Sequence, residues 1–520
     1  MEANYKRYPI GVQNFESLRK DNFLYIDKTP LIHQLVMSGR YYFLSRPRRF
    51  GKSLLISTLE AYFQGKKDLF KGLAMEHLEK EWASHPVFHL DLNIEKYDSP
   101  ESLEAILNNH LSRWERIYGT DASETSLSLR FAGIIRRAYE QTGQRVVVLV
   151  DEYDKPLLQS IDNKEVQTQL RNTLKPFYGV LKTMDGCITF AMLTGVTKFG
   201  KVSVFSDLNN LMDISMDHRY TELCGISEKE IHSYFQEEIT ELAKLQQTDY
   251  DNIADKLRKD YDGYHFAPNT GGIYNPFSIL NTFARMTFGN YWFETGTPTY
   301  LVKLLKESNH DLGKVEGAVV GIETMSGIDA ADADAIPVIY QSGYLTIVDY
   351  DQEFNAFTLG FPNREVKEGF LKFLIPYYTP IRESNSTFEI QNFVREVRTG
   401  DIDGFFTRLQ SFFADTTYEL VRQQELHYSN VLYIIFKILG FYTQVEYHTN
   451  RGRIDLVLQT SQYIYVMEFK LNGTAEEALK QINQNGYALP FAKDSRTLYK
   501  IGINFSPETR NIEQWLVERP

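Results

Sequence analysis

Cysteine is nearly absent: the 520 residues contain two, Cys187 and Cys224. Two thiols cannot build a disulfide framework or a cysteine-rich zinc site. Positive charge is in deficit, with 56 Lys+Arg against 68 Asp+Glu and a net charge of −12. A field of that sign does not draw the whole protein to nucleic acid or to a membrane surface, so any nucleic-acid binding has to be local. Long apolar runs are missing too. The longest, Val431 to Leu439, is interrupted by Lys437 and falls far short of the ~20 residues that span a bilayer. No apolar signal-like stretch lies near Met1. With so little cysteine, this predicts a reducing, cytoplasmic setting without a membrane partner.

What is present is ordinary for a globular chain: 43% hydrophobic, 24% charged and 14% aromatic residues. At roughly 100–200 residues per domain, the length allows about three domains. Over the first 200 residues short β-rich runs alternate with longer helical patterns. Tyr41–Ser45, Val87–Asn93, Arg145–Val150 and Gly186–Leu193 read as strands. Helices are expected at Ser53–Phe63 and near 101–117, 125–141 and 165–183. That alternation predicts a parallel α/β sheet. From about 225 to 380 the pattern is mixed and mostly helical, with Ser227-x-x-Glu230 a capping box. The polar run from Arg382 to Thr387 reads as a linker. Beyond it a helix near 421–439, strands at 453–459 and 462–470 and a helix from 475 are expected. Residues 421–520 carry 11 Lys+Arg against 10 Asp+Glu, so the acidity resides in the rest of the chain.

The first strand runs into Arg46-Pro47-Arg48-Arg49-Phe50-Gly51-Lys52-Ser53 and then a helix. This is the order of a phosphate-binding loop: backbone N–H groups and a helix N-terminus cradle phosphates, Lys52 reaches the β/γ-phosphates and Ser53 ligates Mg²⁺. Arg46 stands where the general motif has its first glycine, so the loop must start without a positive φ or take strain. Arg46, Arg48 and Arg49 are candidate phosphate contacts. Strand Val146–Val150 ends in Asp151-Glu152, with Asp151 suited to the Mg²⁺ shell and Glu152 to orienting the attacking water. Asp154 reads as a solvated or capping carboxylate. Thr194, at the end of the next strand, is a candidate γ-phosphate sensor or a turn-stabilising hydroxyl.

A second constellation lies near the C-terminus: Gly452-Arg-Ile-Asp455, then Glu468-Phe-Lys470. Strand side chains alternate, so Glu468 and Lys470 share a face about 7 Å apart at the backbone. Buried acids beside a lysine are costly unless paired or bound to metal. Asp455 and Glu468 can ligate Mg²⁺ through hard oxygens, and Lys470 can position or activate a water attacking phosphorus. Glu425, on the preceding helix, is a further acid. Thr474-x-x-Glu477 is a capping box that opens a helix on which Gln481 faces the site.

With these residues in hand, the chain resembles a bacterial family of predicted AAA-type ATPases fused to a PD-(D/E)xK nuclease-like domain. The likeness is carried by Tyr8-Pro-Ile-Gly-Val12, Tyr25-Ile-Asp-Lys28, the 46–53 loop, Asp151-Glu-Tyr-Asp154, Leu193-Thr-Gly-Val196, Gly452-Arg-Ile-Asp455, Glu468-Phe-Lys470 and Ala478-Leu-Lys-Gln-Ile482. It implies an ATPase sheet with helices on both faces over 1–220, a mostly helical region over 221–385 and a restriction-endonuclease-like α/β domain over 386–520. The implied activity is ATP hydrolysis coupled to Mg²⁺-dependent cleavage of DNA or RNA, in defence or mobile-element biology. The rival reading is an ATP-dependent signalling switch whose C-terminal domain binds nucleic acid or protein without cutting. A homo-oligomer is compatible with either.

Overall fold

Val146 to Asp151 is a run of β-branched and aliphatic residues with every member buried, the pattern of a strand covered on both faces. In the computed structural model it is β3, an inner strand of a five-stranded parallel sheet. The strands are β1 (Tyr41–Ser45), β2 (Val87–Asp91), β3 (Val146–Asp151), β4 (Ile188–Gly195) and β5 (Met212–Asp213), in the order β2-β3-β4-β1-β5. The structure describes residues 7–94, 96–161, 163–198, 208, 210–295, 301, 305, 310–326, 335–379, 381–413, 424–440, 444–450, 453–470, 473–506, 508–509 and 511–519; for 294, 383–384, 424–426, 444–450 and 453–455 it describes the backbone alone. The chain divides into two compact units, 1–295 with 317–366 and 296–316 with 367–520.

In the first unit helices flank the sheet. An aromatic ladder, Phe88–Trp114–Phe131–Phe177, links β2 to helices Pro100–Tyr118, Leu127–Thr142 and Lys164–Thr183, with ring centroids 5.0, 5.8 and 4.7 Å apart. Helices Glu228–Tyr234, Gln236–Leu245, Tyr250–Tyr261 and Pro276–Arg285 close over a separate core that includes Phe235, Ile239, Leu257, Ile279 and Phe283. The Ser227–Glu230 capping box forms as expected. Asn275 accepts the backbone N–H groups of Phe277 and Ser278, and Pro276 takes the first helical position, where its missing N–H costs nothing. β6 (Ile226–Ser227) pairs with β7 (Ile273–Tyr274). The same unit holds an antiparallel sheet, β8 (Ala318–Gly321), β9 (Thr346–Asp351) and β10 (Ala356–Gly360), in the order β8-β10-β9.

The second unit carries β11 (Gln444–Asn450), β12 (Arg453–Gln459), β13 (Tyr463–Lys470), β14 (Thr497–Ser506) and β15 (Asn511–Glu518), hydrogen-bonded in chain order. Only the β13–β14 pair is parallel, so it needs a crossover. Helix Ala475–Gln484 supplies it. The run Arg382–Thr387, expected as a linker, is helical instead: helix Glu383–Thr399 begins there and ends at Gly400 with φ 78°. Ile390, Phe393, Val394 and Val397 are buried at three- and four-residue spacing, and that stripe outweighs the polar first turns. No helix among the described residues is long and apolar enough to cross a membrane.

Helix Ala475–Gln484 lies hard against β14. A Cβ on Gly502 would stand 2.2 Å from the Ala475 carbonyl oxygen and 2.5 Å from the Leu479 nitrogen, both backbone atoms. Gly502→Ala is therefore expected to cost about 1–3 kcal/mol through overpacking. Urea unfolding of the second unit, followed by Trp515 fluorescence, measures it; an unchanged midpoint would contradict the close approach.

Candidate functional site

Parallel strands leave their C-terminal ends as the open edge of the sheet, where loops converge. The P-loop strand β1 and the acidic strand β3 both border β4, so the ends of three adjacent strands deliver the candidate residues. Helix Lys52–Phe63 starts from Gly51, whose φ is 95°, with no side-chain cap. Its first-turn N–H groups are thus left to an incoming anion. The left-handed residues of the loop are Arg49, φ 67°, and Gly51; Arg46 is not among the positive-φ residues. The arginine in place of the first glycine therefore incurs no backbone strain.

Lys52 is buried and its Nζ lies 3.2 Å from Glu152 Oε1. It also donates to the carbonyl oxygens of Arg46 and Pro47, at 3.1 and 3.3 Å. Glu152 itself has φ 56°, an uncommon conformation for a non-glycine residue and one that collects at functional sites. Asp151 is buried, and its Oδ1 accepts the Thr194 hydroxyl at 2.6 Å. Thr194 thus fixes the orientation of Asp151. Ser53 stands half-buried one residue after Lys52 in the first helical turn.

The loop arginines separate. Arg46, expected at a phosphate, turns its side chain into the interior, with 1% of its surface exposed. Its guanidinium donates to the carbonyls of Ser45, Ser215 and Tyr220 and lies 3.9 Å from the Phe266 ring centroid. Carbonyl oxygens and a π-face replace water there, and burial lowers its pKa to about 10, still charged at neutral pH. Arg49 is exposed, with its guanidinium 5.1 Å from the Phe277 ring. The Arg48 carbonyl accepts the Trp292 indole N–H at 3.0 Å. Pro47 is buried, and Phe50 meets Tyr264 and Phe266 edge-on at 4.7 and 5.5 Å.

Beside Phe50 and Gly51 opens an apolar cavity of about 100 Å³. A water needs about 10–15 Å³ on this scale, so the cavity is several waters in size. Pro9, Leu24, Ile26, Leu223, Ile226 and Leu280 are among the residues that line it.

In the second unit Glu468 is fully buried and Lys470 Nζ lies 3.3 Å from its Oε1. Lys470 also donates to Gln481 Oε1 on the crossover helix, so the Glu468, Lys470 and Gln481 side chains do come together. Asp455 stands directly opposite Glu468 in the backbone register of β12 and β13. The side chains of Asp455 and Glu425 lie outside the described residues; Glu425 is in helix Gln424–Leu439. The Thr474–Glu477 capping box forms at the start of the crossover helix.

One residue escapes the sequence reading and another has a different environment from the solvated one considered for it. Asn504 is the register partner of Lys470 on β14; the signal is a lone polar residue within the apolar run Ile501–Phe505, itself not read as a strand. Asp154 is not solvated but fully buried. Its carboxylate accepts the N–H groups of Val196 and Thr197 at 3.2 and 2.6 Å and the Thr197 hydroxyl at 2.7 Å. It thereby ties the turn after β3 to the end of β4. The signal is the second acid of Asp151-Glu-Tyr-Asp154.

The family described as predicted AAA-ATPase matches residues 9–205, and the PD-(D/E)XK nuclease superfamily matches residues 423–515. Over 530 aligned positions the chain is 35% identical to an uncharacterized protein in the vnfD 5′ region of Azotobacter chroococcum mcd 1, an alignment covering 99% of each chain.

Burial, and next the charge of Glu152, push the Asp154 carboxyl up to about 6. A pKa raised by folding adds stability below the unfolded value, near 3.9, and loses it as pH rises through the folded value. The Asp154 carboxyl is thus expected to titrate near pH 6 by NMR of ¹³C-labelled side chains. Asp154→Asn is expected to flatten the fall in stability between about pH 4 and 7; an unaltered pH profile would contradict this.

Proposed function

The chain belongs to the family of predicted AAA-ATPases joined to a PD-(D/E)XK nuclease-superfamily domain, and from that premise we propose that it hydrolyses ATP and uses nucleotide state to govern Mg²⁺-dependent cleavage of DNA or RNA. The observation that carries the ATPase half is the convergence of Lys52, Glu152 and the Asp151–Thr194 pair on adjacent strand ends beside an uncapped helix N-terminus. The donor set suits Mg²⁺: a serine hydroxyl and a carboxylate, both hard oxygens. Ser53 and Asp151 would hold the ion. Loop N–H groups cradle the phosphates, Lys52 exchanges its carbonyl partners for the β/γ-phosphates and Glu152, released from Lys52, orients the attacking water. The apolar cavity takes the base.

In the nuclease half Asp455 and Glu468 would hold Mg²⁺, with Glu425 contributing from its helix. Lys470, steered by Gln481, positions or activates the attacking water. Bound metal would stabilise negative charge developing at phosphorus in both halves. Defence or mobile-element biology in the cytoplasm is the setting that this pairing of modules suggests.

ATP–Mg²⁺ at 100-fold above Kd is expected to stabilise the first unit by about 2.7 kcal/mol, read as a rise in melting temperature that Lys52→Ala abolishes. Labelled DNA and RNA should be cut with Mg²⁺ by wild type and not by Glu468→Ala. Cleavage identical with and without ATP, and identical in Lys52→Ala, would refute the coupling. Absence of any ATP-dependent thermal shift would refute the nucleotide reading.

A further inference from the structure

Asn504 interrupts an otherwise apolar stretch of β14, yet only 8% of its surface is exposed. Its neighbours on the strand fix the face it occupies, because side chains alternate. Two residues before it, Gly502 lies against the Ala475 carbonyl, and two before that Lys500 Nζ donates to Asn483 Oδ1 at 2.7 Å. Ala475 and Asn483 both belong to the crossover helix, so Asn504 stands on the face that this helix covers. Glu468 and Lys470 stand on the same face. In the parallel register Gly502 is the partner of Glu468 and Asn504 the partner of Lys470, and Lys470 donates to Gln481 on the crossover helix.

The Asn504 carboxamide is oriented from its other side. Pairing of β14 with β15 slips at this point: Asn504 is opposite Gln514 and Phe505 opposite Ile512, which leaves Glu513 as the extra residue of a β-bulge. Bulges re-aim side chains and are over-represented beside active sites. Asn504 Nδ2 donates to Glu513 Oε2 at 3.5 Å. An ionised carboxylate only accepts, so it selects the amide end and leaves the carbonyl end for another partner. Asn504 Oδ1 is buried and receives no hydrogen bond from the described residues. A buried carbonyl without a donor is destabilising and calls for a role. Beside it, the Lys470 ammonium has three hydrogens, of which Glu468 and Gln481 engage two. An acceptor and a donor thus stand on neighbouring strands, the pair of partners that holds a water.

We propose that Asn504 is a further residue of the nuclease site, its Oδ1 accepting a hydrogen of the water that attacks phosphorus. The proposal rests on the nuclease reading above. The water gives one hydrogen to Oδ1 and accepts one from Lys470 Nζ, so its second lone pair is fixed in direction. Fixing the nucleophile before reaction lowers the entropic part of the barrier. Oδ1 takes no proton and forms no covalent bond in this role. Glu513 is a positioning residue that acts through Asn504.

Steady-state cleavage of labelled DNA and RNA by the full chain, with ATP and Mg²⁺, tests the assignment. Asn504→Leu is expected to lower kcat about 10²-fold with KM unchanged. Its melting temperature should not fall, because an apolar side chain of similar size replaces a carbonyl that lacks a donor. Glu513→Ala should lower kcat less. The double variant Asn504→Asp/Glu513→Gln moves the donor across the pair and keeps an oxygen beside Lys470, so it should recover most of kcat. Three results would overturn the role of Asn504: unchanged kcat in Asn504→Leu, a loss accompanied by a lowered melting temperature, or a double variant as slow as Asn504→Leu. The nuclease reading survives each of them so long as Glu468→Ala abolishes wild-type cleavage. A wild type that cuts neither DNA nor RNA would overturn the nuclease reading and the role of Asn504 with it.

Discussion

Arg46, Lys52, Asp151 and Asp154 are all buried at one edge of the parallel sheet, and low-dielectric surroundings penalise each charge that lacks a local partner. The geometry of the first unit follows from meeting that demand. Lys52 is met by Glu152 and two loop carbonyls, Asp151 by the Thr194 hydroxyl, Asp154 by two N–H groups and a hydroxyl beyond β4. Apart from the contacts of Lys52 to carbonyls of its own loop, these contacts bridge two strand ends or a strand end and the loop. The electrostatic requirement therefore positions β1, β3 and β4 relative to one another at the edge where phosphate chemistry needs them. The same requirement recurs at Glu468, fully buried against Lys470, with the crossover helix supplying the Gln481 oxygen that holds the lysine.

Much of this was legible in the sequence because the signals were local. Tyr41–Ser45 and the Val146–Val150 run are strands as expected, and both capping boxes form. The face shared by Glu468 and Lys470 follows from strand alternation alone. What was not legible depended on distant partners. Arg46 looked like a phosphate ligand because the carbonyls that hold it, at Ser215 and Tyr220, lie far along the chain. Asp154 reads as a solvated or capping carboxylate, and its burial was not legible because its partners, Val196 and Thr197, belong to another strand end. The sheet β8-β10-β9 and strands β14 and β15 likewise take their partners through pairing that no window of sequence contains. The 382–387 run misled in the opposite way, since local polarity concealed the apolar stripe that begins at Ile390.

Arg46 also shows how a phosphate-binding loop can dispense with a glycine. A glycine at a loop start serves where the chain needs a positive φ or a close backbone approach. Here the left-handed conformations fall later, at Arg49 and Gly51, so position 46 is free to carry a side chain. That side chain points inward and anchors the loop to the carbonyls beyond β5. The loop is thereby tied to the interior, and its inner carbonyls, those of Arg46 and Pro47, face Lys52. Lys52 is shared between those carbonyls and Glu152, so on the proposed reading a bound phosphate would take Lys52 from Glu152 and free the glutamate to act on water. On the proposed ATPase reading, binding and the assembly of the hydrolytic site are one event, because both depend on the same buried ammonium.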